Sequence, residues 1–332
     1  ERLLALLKVH HPAIWMGDYE QVSLMPGTGE VTVDFEKRKQ PFSHADEVCT
    51  PYFYKVAMGD RPEKRISTEF APTARSVMMR FTFPAGQTPH VVVDASREYS
   101  KARYADHTPA DGWVKIDAAA REIVGYNKDR HYAHLCAPKP NFAGYFVIQF
   151  DRPIAACGTA IAGAITAGAT EAKADQLNAY VQFAAEAEAT AVTARIGTSF
   201  ISVEQARDNL RREIPDWNLE TVKAQGRAAW NAQLSRVQIA GKDEDAKHVF
   251  YTCLYHAHLY PRIFSEYGRY YSAFDDAVHA GEHAYNDYSL WDTFRALHPL
   301  LTLTAPERVA PMVTSLLQMY REGGWLPLWP NP

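Results

Sequence analysis

Several features common in other protein classes are missing from this 332-residue sequence. It has no apolar run of about 18 residues, so it predicts no membrane-spanning helix. Its net charge is −4, which gives no electrostatic reason to expect nucleic-acid binding. No G-x-S-x-G, P-loop, G-x-G-x-x-G or C-x-x-C motif is present. Four cysteines lack the spacing of a zinc or redox motif, and disulfide pairing stays open: Cys49, Cys136, Cys157 and Cys253.

Both ends of the sequence lack what a complete chain usually has. It begins ERLLALLKVHHP without an initiator methionine or a signal peptide, and it stops at GGWLPLWPNP, inside an aromatic-rich turn. We therefore expect a piece of a longer protein, and the missing signal says nothing about localisation.

Residues 1–200 have the pattern of an all-β region. Val77, Met79, Phe81 and Phe83 alternate with other residues, as in a half-buried strand. Turn signals such as Pro-Gly separate many short runs, which favours a two-sheet sandwich. The predicted strands are Gln21–Met25, Glu30–Phe35, Tyr52–Met58, Ile66–Ala71, Ser76–Phe83, His90–Ala95, Arg121–Tyr126, Tyr145–Phe150 and Ala189–Ile196.

The period becomes helical after residue 200. Ser202 and Gln205 match a capping box, and residues 201–238 read as a helical linker. Residues 239–332 continue as an α-helical region. In its last helix, Thr304 and Glu307 predict another capping box, and Gly323–Gly324 predict the end. The predicted buried stripe of that helix is Val309, Met312, Val313, Leu316, Leu317 and Tyr320.

The segment YSLWDTFRALHPL (288–300) carries the most suggestive chemistry. Ser289 and Asp292 fit an S-x-x-D cap, and Pro299 predicts the end of the same helix. Trp291 and Asp292 then lie in its first turn, where an indole stacks on sugar C–H groups and a carboxylate accepts hydroxyl hydrogen bonds. The plainer alternative is a cap and a core tryptophan, and these thirteen residues alone favour it.

Other candidate motifs have plain alternatives. His279, Glu282 and His283 match H-x-x-E-H, a zinc-peptidase pattern that requires a helix. Gly281 and the polar flanks favour a surface loop instead. Asp275–Asp276 lacks EF-hand spacing and favours an ordinary acidic turn. Loop tryptophans, Trp15 near the start and Trp325 and Trp329 near the end, hint at the edge of a ligand site.

Taken together, five segments resemble glycoside hydrolase family 92, the calcium-dependent exo-α-mannosidases. They are HHPAIWMGDYEQVSLMPGTG (10–29), FSHADEVCTPYFYKV (42–56), TARIGTSFISVEQARDNL (193–210), FYTCLYHAHLYPRIFSE (250–266) and the stretch from YSLWDTFRALHPLLTL to GGWLPLWP (288–330). The resemblance implies a β-sandwich (1–200, truncated at its start), the linker (201–238) and the first helices of an (α/α)₆ barrel (239–332), incomplete in this chain.

The same resemblance implies a function. The family removes terminal α-linked mannose from glycans with inversion, using an acid and a base roughly 6.5–9.5 Å apart. Calcium is the implied cofactor, and mannose-containing oligosaccharides or glycoproteins are the implied partners. The family's acid, base and most calcium ligands correspond to positions beyond Pro332. We therefore assign no catalytic residue and no metal ligand, and we expect residues 1–332 alone to be inactive.

The resemblance also implies site residues. Asp292 is expected to bind mannose hydroxyls, Trp291 to wall the pocket, and Trp15 to reach the same cleft. Arg295 is expected to orient Asp292, and Trp325 is a weaker candidate. A non-catalytic carbohydrate-binding protein is the alternative function. We expect export, and we expect poor solubility because Val309, Val313 and Leu317 would face solvent.

Overall fold

The structure is a computed structural model that describes residues 2–3, 6, 22–96, 111–128 and 139–330. The chain divides into two compact units. The β unit comprises Glu1–Pro138 and Ala143–Lys223, and the helical unit comprises Lys139–Phe142 and Ala224–Pro332. Each unit is described by itself below.

Strands dominate the β unit. In chain order they are β1 (Arg2–Leu3), β2 (Ser23–Thr28), β3 (Gln40–Thr50), β4 (Phe53–Met58), β5 (Ile66–Pro72), β6 (Ser76–Phe83), β7 (Pro89–Ser96), β8 (Gly112–Asp117), β9 (Glu122–Asn127), β10 (Gly144–Phe150), β11 (Ala156–Ile161), β12 (Ala164–Ala167), β13 (Glu171–Ala174), β14 (Leu177–Gln182) and β15 (Thr190–Ser199). In the described residues they form a sheet in the order β1-β3-β4-β5-β6-β15-β10-β9-β8-β13 and a second in the order β12-β11-β14-β7-β2.

The two sheets share one hydrophobic core. Val77, Met79, Phe81 and Phe83 of β6 are buried in it, as their alternation predicts. The second sheet contributes Leu24 of β2 and its neighbours on β7 and β14. This arrangement confirms the predicted β-sandwich followed by helices.

One predicted strand is wrong, and two observed features were not predicted. Glu30–Phe35 is not a strand, because Asp34 accepts hydrogen bonds from the amides of Glu36 and Lys37 and starts a short helix, α1 (Phe35–Arg38). The polar strand β3 was missed because its side chains are largely exposed and do not alternate clearly. The Ala/Gly-rich stretch after Ile154 forms the β11–β12 hairpin.

Helix α2 (Val203–Glu213) covers the outer face of the larger sheet. The Ser202 hydroxyl accepts a hydrogen bond from the Gln205 amide, as predicted. Ala206 and Leu210 are buried against Met78 and Val147 of the sheet. A Cβ on Gly197 of β15 would lie 2.3 Å from the Ala206 carbonyl oxygen, so glycine is required for this close approach. Helix α3 (Leu219–Leu234) follows, and the boundary between the units falls within it.

The helical unit mixes helices with short strands. Its elements are α4 (Glu244–Ala257), β16 (Arg262–Ile263), β17 (Arg269–Ser272), β18 (Ala277–Ala280), β19 (Tyr285–Asn286), α5 (Leu290–Thr293), α6 (Leu297–Thr304) and α7 (Pro306–Gly323). Strand β16 pairs with β19, and β17 pairs with β18 in a hairpin. No described helix is both long and apolar enough to cross a bilayer.

Helix α7 ends as predicted but begins differently. Gly324 has a left-handed backbone, and its amide donates to the Tyr320 carbonyl. The predicted Thr304 cap is wrong, because Thr304 is the last residue of α6 and its hydroxyl donates to the Leu300 carbonyl. Of the predicted stripe, Met312 is buried, whereas Val313, Leu317 and Tyr320 are exposed.

Candidate functional site

The Trp291–Asp292 pair lies on α5, a single helical turn. Ser289 precedes it with a left-handed backbone (φ 41°), whereas a capping residue normally has an extended one. The Ser289 hydroxyl therefore does not cap a backbone amide. It donates to the Asp292 carboxylate over 2.7 Å. Asp292 is in the first turn, as predicted, but the predicted capping box is wrong.

The predicted single helix over 288–300 is also wrong. The chain breaks at Ala296 (φ −132°), and α6 begins at Leu297. Pro299 lies inside the first turn of α6, where its missing N–H leaves no hydrogen bond unmade. Pro299 therefore lies in the first turn of a second helix and does not end the first helix.

Buried and backbone contacts hold this turn in place. The Tyr288 hydroxyl donates to the Met312 carbonyl of α7 over 2.9 Å, and burial raises the pKa of Tyr288. The Thr293 hydroxyl lies 2.9 Å from the Tyr288 carbonyl oxygen. On the other side, the Leu290 amide donates to the Leu328 carbonyl over 3.1 Å. The turn is thus fixed to both α7 and the segment 328–330.

The side chains beyond these anchors face solvent. Trp291 is 59% exposed, and Asp292 is exposed as well. The centres of the Trp291 and Trp329 rings are 6.4 Å apart. The hydrogen bond between Leu290 and Leu328 thus brings together two tryptophans that the sequence indicated as candidate ligand-site residues. Trp325 is 65% exposed. An exposed carboxylate beside indole rings has the chemistry expected of a carbohydrate-binding surface.

For two other predicted site residues, Arg295 and Trp15, the structure does not support the predicted contact with this turn. Arg295 is exposed, and its guanidinium lies 5.4 Å above the ring of Phe294. Within the described ranges it makes no ion pair with Asp292, so the prediction that it orients this carboxylate is corrected in favour of Ser289. Trp15 lies outside the described residues.

Sequence reasoning missed a buried ion pair and a half-buried histidine next to this turn. The Asp287 carboxylate is paired with the Arg262 guanidinium, and both side chains are largely buried. These residues are 25 positions apart, so no local pattern connects them. His298 packs 6.3 Å from the Tyr288 ring, and burial lowers its pKa.

The H-x-x-E-H motif does not form a zinc-peptidase site. His279 lies on strand β18, and Glu282 and His283 follow it as exposed residues. The motif therefore lacks the helix that would place both histidines on one face. Instead, His279 joins Asp275 and Glu322 in the one group of metal-ligand type found among the described residues.

This group does not fit the calcium that the resemblance implies. Calcium takes 6–8 oxygen ligands, whereas the group offers an imidazole nitrogen and two carboxylates. No calcium ligand is therefore assigned within the described part of the chain.

Two solved structures of family GH92 enzymes have a similar fold. A family GH92 inverting mannosidase from Bacteroides thetaiotaomicron VPI-5482 is 33% identical, with a TM-score of 0.85, over 97% of this chain and 42% of that protein. A family GH92 α-mannosidase from the same species is 24% identical, with a TM-score of 0.80, over 94% of this chain and 42% of that one. The chain thus spans less than half the length of these proteins.

Sequence comparison points the same way. An uncharacterized secreted glycosidase of Arthroderma benhamiae is 31% identical over 91 residues, which is 26% of this chain and 12% of that protein. The model of the glycosyl hydrolase family 92 N-terminal domain matches residues 2–199. The model of the family's catalytic domain matches residues 205–332. These two matches confirm the resemblance, and the chain belongs to glycosyl hydrolase family 92.

Proposed function

We propose that the protein containing this chain hydrolyses terminal α-linked mannose from glycans with inversion of configuration. Membership of a glycoside hydrolase family supports the reaction class. The similarity to an inverting mannosidase, at 33% identity, supports the sugar and the stereochemistry. The partners would be mannose-containing oligosaccharides or glycoproteins. The secreted glycosidase among its relatives supports export.

The role of this chain in that reaction is to bind the sugar. Trp291 would stack on the C–H face of a mannose ring, and the free lone pairs of the Asp292 carboxylate would accept its hydroxyl hydrogen bonds. The observation that carries the proposal is an exposed Trp–Asp pair on a turn that buried contacts hold rigid. Such a turn loses little conformational entropy when a sugar binds. Trp325 is proposed to extend the same surface, and Arg295 to contact the sugar directly. For Trp15, contact with the sugar stays a prediction from the family resemblance.

The proton-transfer chemistry is proposed to reside elsewhere in the protein. We keep the expectation that the acid and base lie beyond Pro332, and that residues 1–332 bind mannose without turning it over. Calcium remains a prediction from the family resemblance. The boundaries 1–200, 201–238 and 239–332 likewise remain a proposed division of the chain.

Binding of methyl α-mannoside, followed by NMR titration, tests the sugar site. Asp292→Asn and Trp291→Ala should each weaken binding roughly tenfold or more, since each removes a direct contact. Asp245→Asn is a matched control, because Asp245 is also an exposed acid in the first turn of a helix, α4. Trp217→Ala is the control for a partly exposed tryptophan of the β unit. If both controls weaken binding as much as the site variants do, the proposal fails.

Turnover of an aryl α-mannoside distinguishes the two functions considered. The proposal predicts that the longer protein releases β-mannose, detected by NMR of the anomeric proton before mutarotation. Release of α-mannose would contradict inversion. Mannose binding without turnover by the longer protein would favour the carbohydrate-binding alternative.

A further inference from the structure

We propose that Asp275, His279 and Glu322 form a binding site for a divalent transition-metal ion, with Zn²⁺ as the best match. Asp275 lies in the turn of the β17–β18 hairpin, His279 on β18, and Glu322 near the end of α7. The site is independent of the proposed sugar site, and no mannose chemistry enters its support.

The three ligand groups already converge on one point. Their ligating atoms all lie within 4.8 Å of one another. The His279 Nε2 atom is 2.9 and 3.1 Å from the two oxygens of the Asp275 carboxylate. Zinc binds histidine nitrogen and carboxylate oxygen at roughly 2.0–2.2 Å, so the ligands of a tetrahedral site lie roughly 3.3–3.6 Å from one another. Small side-chain movements, which separate His279 from Asp275 slightly and bring the more distant ligand atoms closer, would therefore complete the coordination.

Neighbouring hydroxyl groups hold Glu322 in position. The Tyr270 hydroxyl donates to one oxygen of the Glu322 carboxylate, and the Ser272 hydroxyl donates to the other over 2.6 Å. The Tyr270 ring also stacks on His279, with centroids 5.5 Å apart. Ligands fixed in this way by a second layer of contacts are typical of metal sites.

Charge and space both suit a cation. Asp275 and Glu322 bring two carboxylates together, and in the described ranges neither forms an ion pair with a lysine or arginine. A bound divalent ion would neutralise the charge of these two carboxylates. A cavity of about 30 Å³ adjoins Glu322 and is lined also by Ser272 and Gln318. Among the residues that the structure describes, the buried Gln318 Oε1 atom has no hydrogen-bond partner, so a water in this cavity beside Glu322 would have an acceptor.

The ligand set selects the kind of metal. One imidazole and two carboxylates suit zinc, and also manganese, iron or cobalt in the +2 state, and leave a position for water. The bound ion would tie the hairpin to the end of α7, just before the left-handed Gly324. Its role would therefore include fixing the direction in which the chain leaves α7.

Titration of the chelator-treated protein with ZnCl₂, followed by calorimetry, tests the site. CoCl₂ in place of zinc gives a second readout, the visible absorption of low-coordinate Co²⁺. The wild-type protein should bind one equivalent of zinc and melt at a higher temperature with it. Asp275→Asn, His279→Gln and Glu322→Gln should each weaken binding at least tenfold and remove the increase in melting temperature.

Matched controls separate this site from the linear motif. Glu282→Gln and His283→Gln alter the other two residues of H-x-x-E-H and should leave zinc binding unchanged. Asp275 is exposed, so its variant should fold even if Glu322→Gln loses stability with its hydroxyl partners. The proposal is overturned if the wild-type protein binds no stoichiometric zinc. It is also overturned if Asp275→Asn binds zinc like the wild type, or if His283→Gln abolishes binding.

Discussion

The two units use their apolar residues in opposite ways. In the β unit, side chains from both sheets, such as Phe81 of β6 and Leu24 of β2, are fully buried in one shared core. In the helical unit, large apolar residues of well-formed helices face solvent, including Leu303 (80% exposed) and Val313 (51%). Regular secondary structure therefore does not by itself indicate a filled core. The β unit should owe its stability to burial, and the helical unit should depend more on specific hydrogen bonds and ion pairs.

Phenylalanine substitutions should give the largest difference between the units. Phe81→Ala should destabilise the β unit by about 3–5 kcal/mol, because it leaves a cavity in a closed core. Phe294→Ala, on the exposed surface of the helical unit, should change stability by less than about 0.5 kcal/mol. Hydrogen exchange of peptides from β6 and from α7 measures the two effects separately. Equal destabilisation by the two substitutions would contradict the proposed difference between the two units.

Acid should weaken the β unit through His90, which is only 5% exposed. Burial lowers the pKa of His90 to about 4, against an ordinary value near 6.5. The unfolded chain therefore takes up a proton first, so the contribution of neutral His90 is complete above pH 6.5 and is lost as the pH falls towards 4. The loss is about 3 kcal/mol. Urea unfolding between pH 7 and pH 4 measures it.

The variant His90→Gln isolates this effect, because it should remove that part of the pH dependence whatever its stability at pH 7. An unchanged dependence would show that other groups cause it. Burial also lowers the pKa of His298, so the helical unit should likewise lose stability as the pH falls, and His298→Gln should reduce this loss.

Substitution of the exposed stripe of α7 should have the smallest effect on unfolding. Val313→Ser with Leu317→Ser should alter the free energy of unfolding by no more than about 0.5 kcal/mol per site. The pair should still reduce self-association, since exposed apolar patches drive it. Sedimentation velocity of both proteins measures this. A wild-type chain that is already monomeric at high concentration would contradict the prediction of poor solubility. Val309, the third residue on which that prediction was based, is half-buried and contributes less to the exposed surface.

The sequence predicted the fold best where a local residue pattern is compatible with a single type of secondary structure. The alternation in β6 gave its bounds, and Ser202 and Gln205 gave the start of α2. Prediction failed where a tertiary contact decided the outcome. Strand β3 is held by pairing with β4 along much of its length although its own side chains are largely exposed, and Asp34 redirects a strand-like run into a helix.

The residues of the candidate site could be proposed from the sequence, whereas their geometry could not. Trp291 and Asp292 stood out by chemistry and spacing. The left-handed Ser289, the break at Ala296 and the buried Arg262–Asp287 pair depend on contacts between distant segments, which no local period encodes. The same reason explains why the H-x-x-E-H pattern indicated His283, whereas the structure brings His279 to Glu322, 43 positions along the chain.

The backbone hydrogen bonds from Leu290 to Leu328 and from Asp287 to Pro330 join two stretches that are about forty positions apart in the chain. A ligand that restricts the motion of Trp291 therefore restricts Trp329 as well. A second contact on the 325–330 stretch would then meet a segment whose freedom is already reduced, so two weak contacts would reinforce each other without any change of shape. Order parameters of the indole N–H groups, measured by NMR with and without sugar, would record this cooperativity.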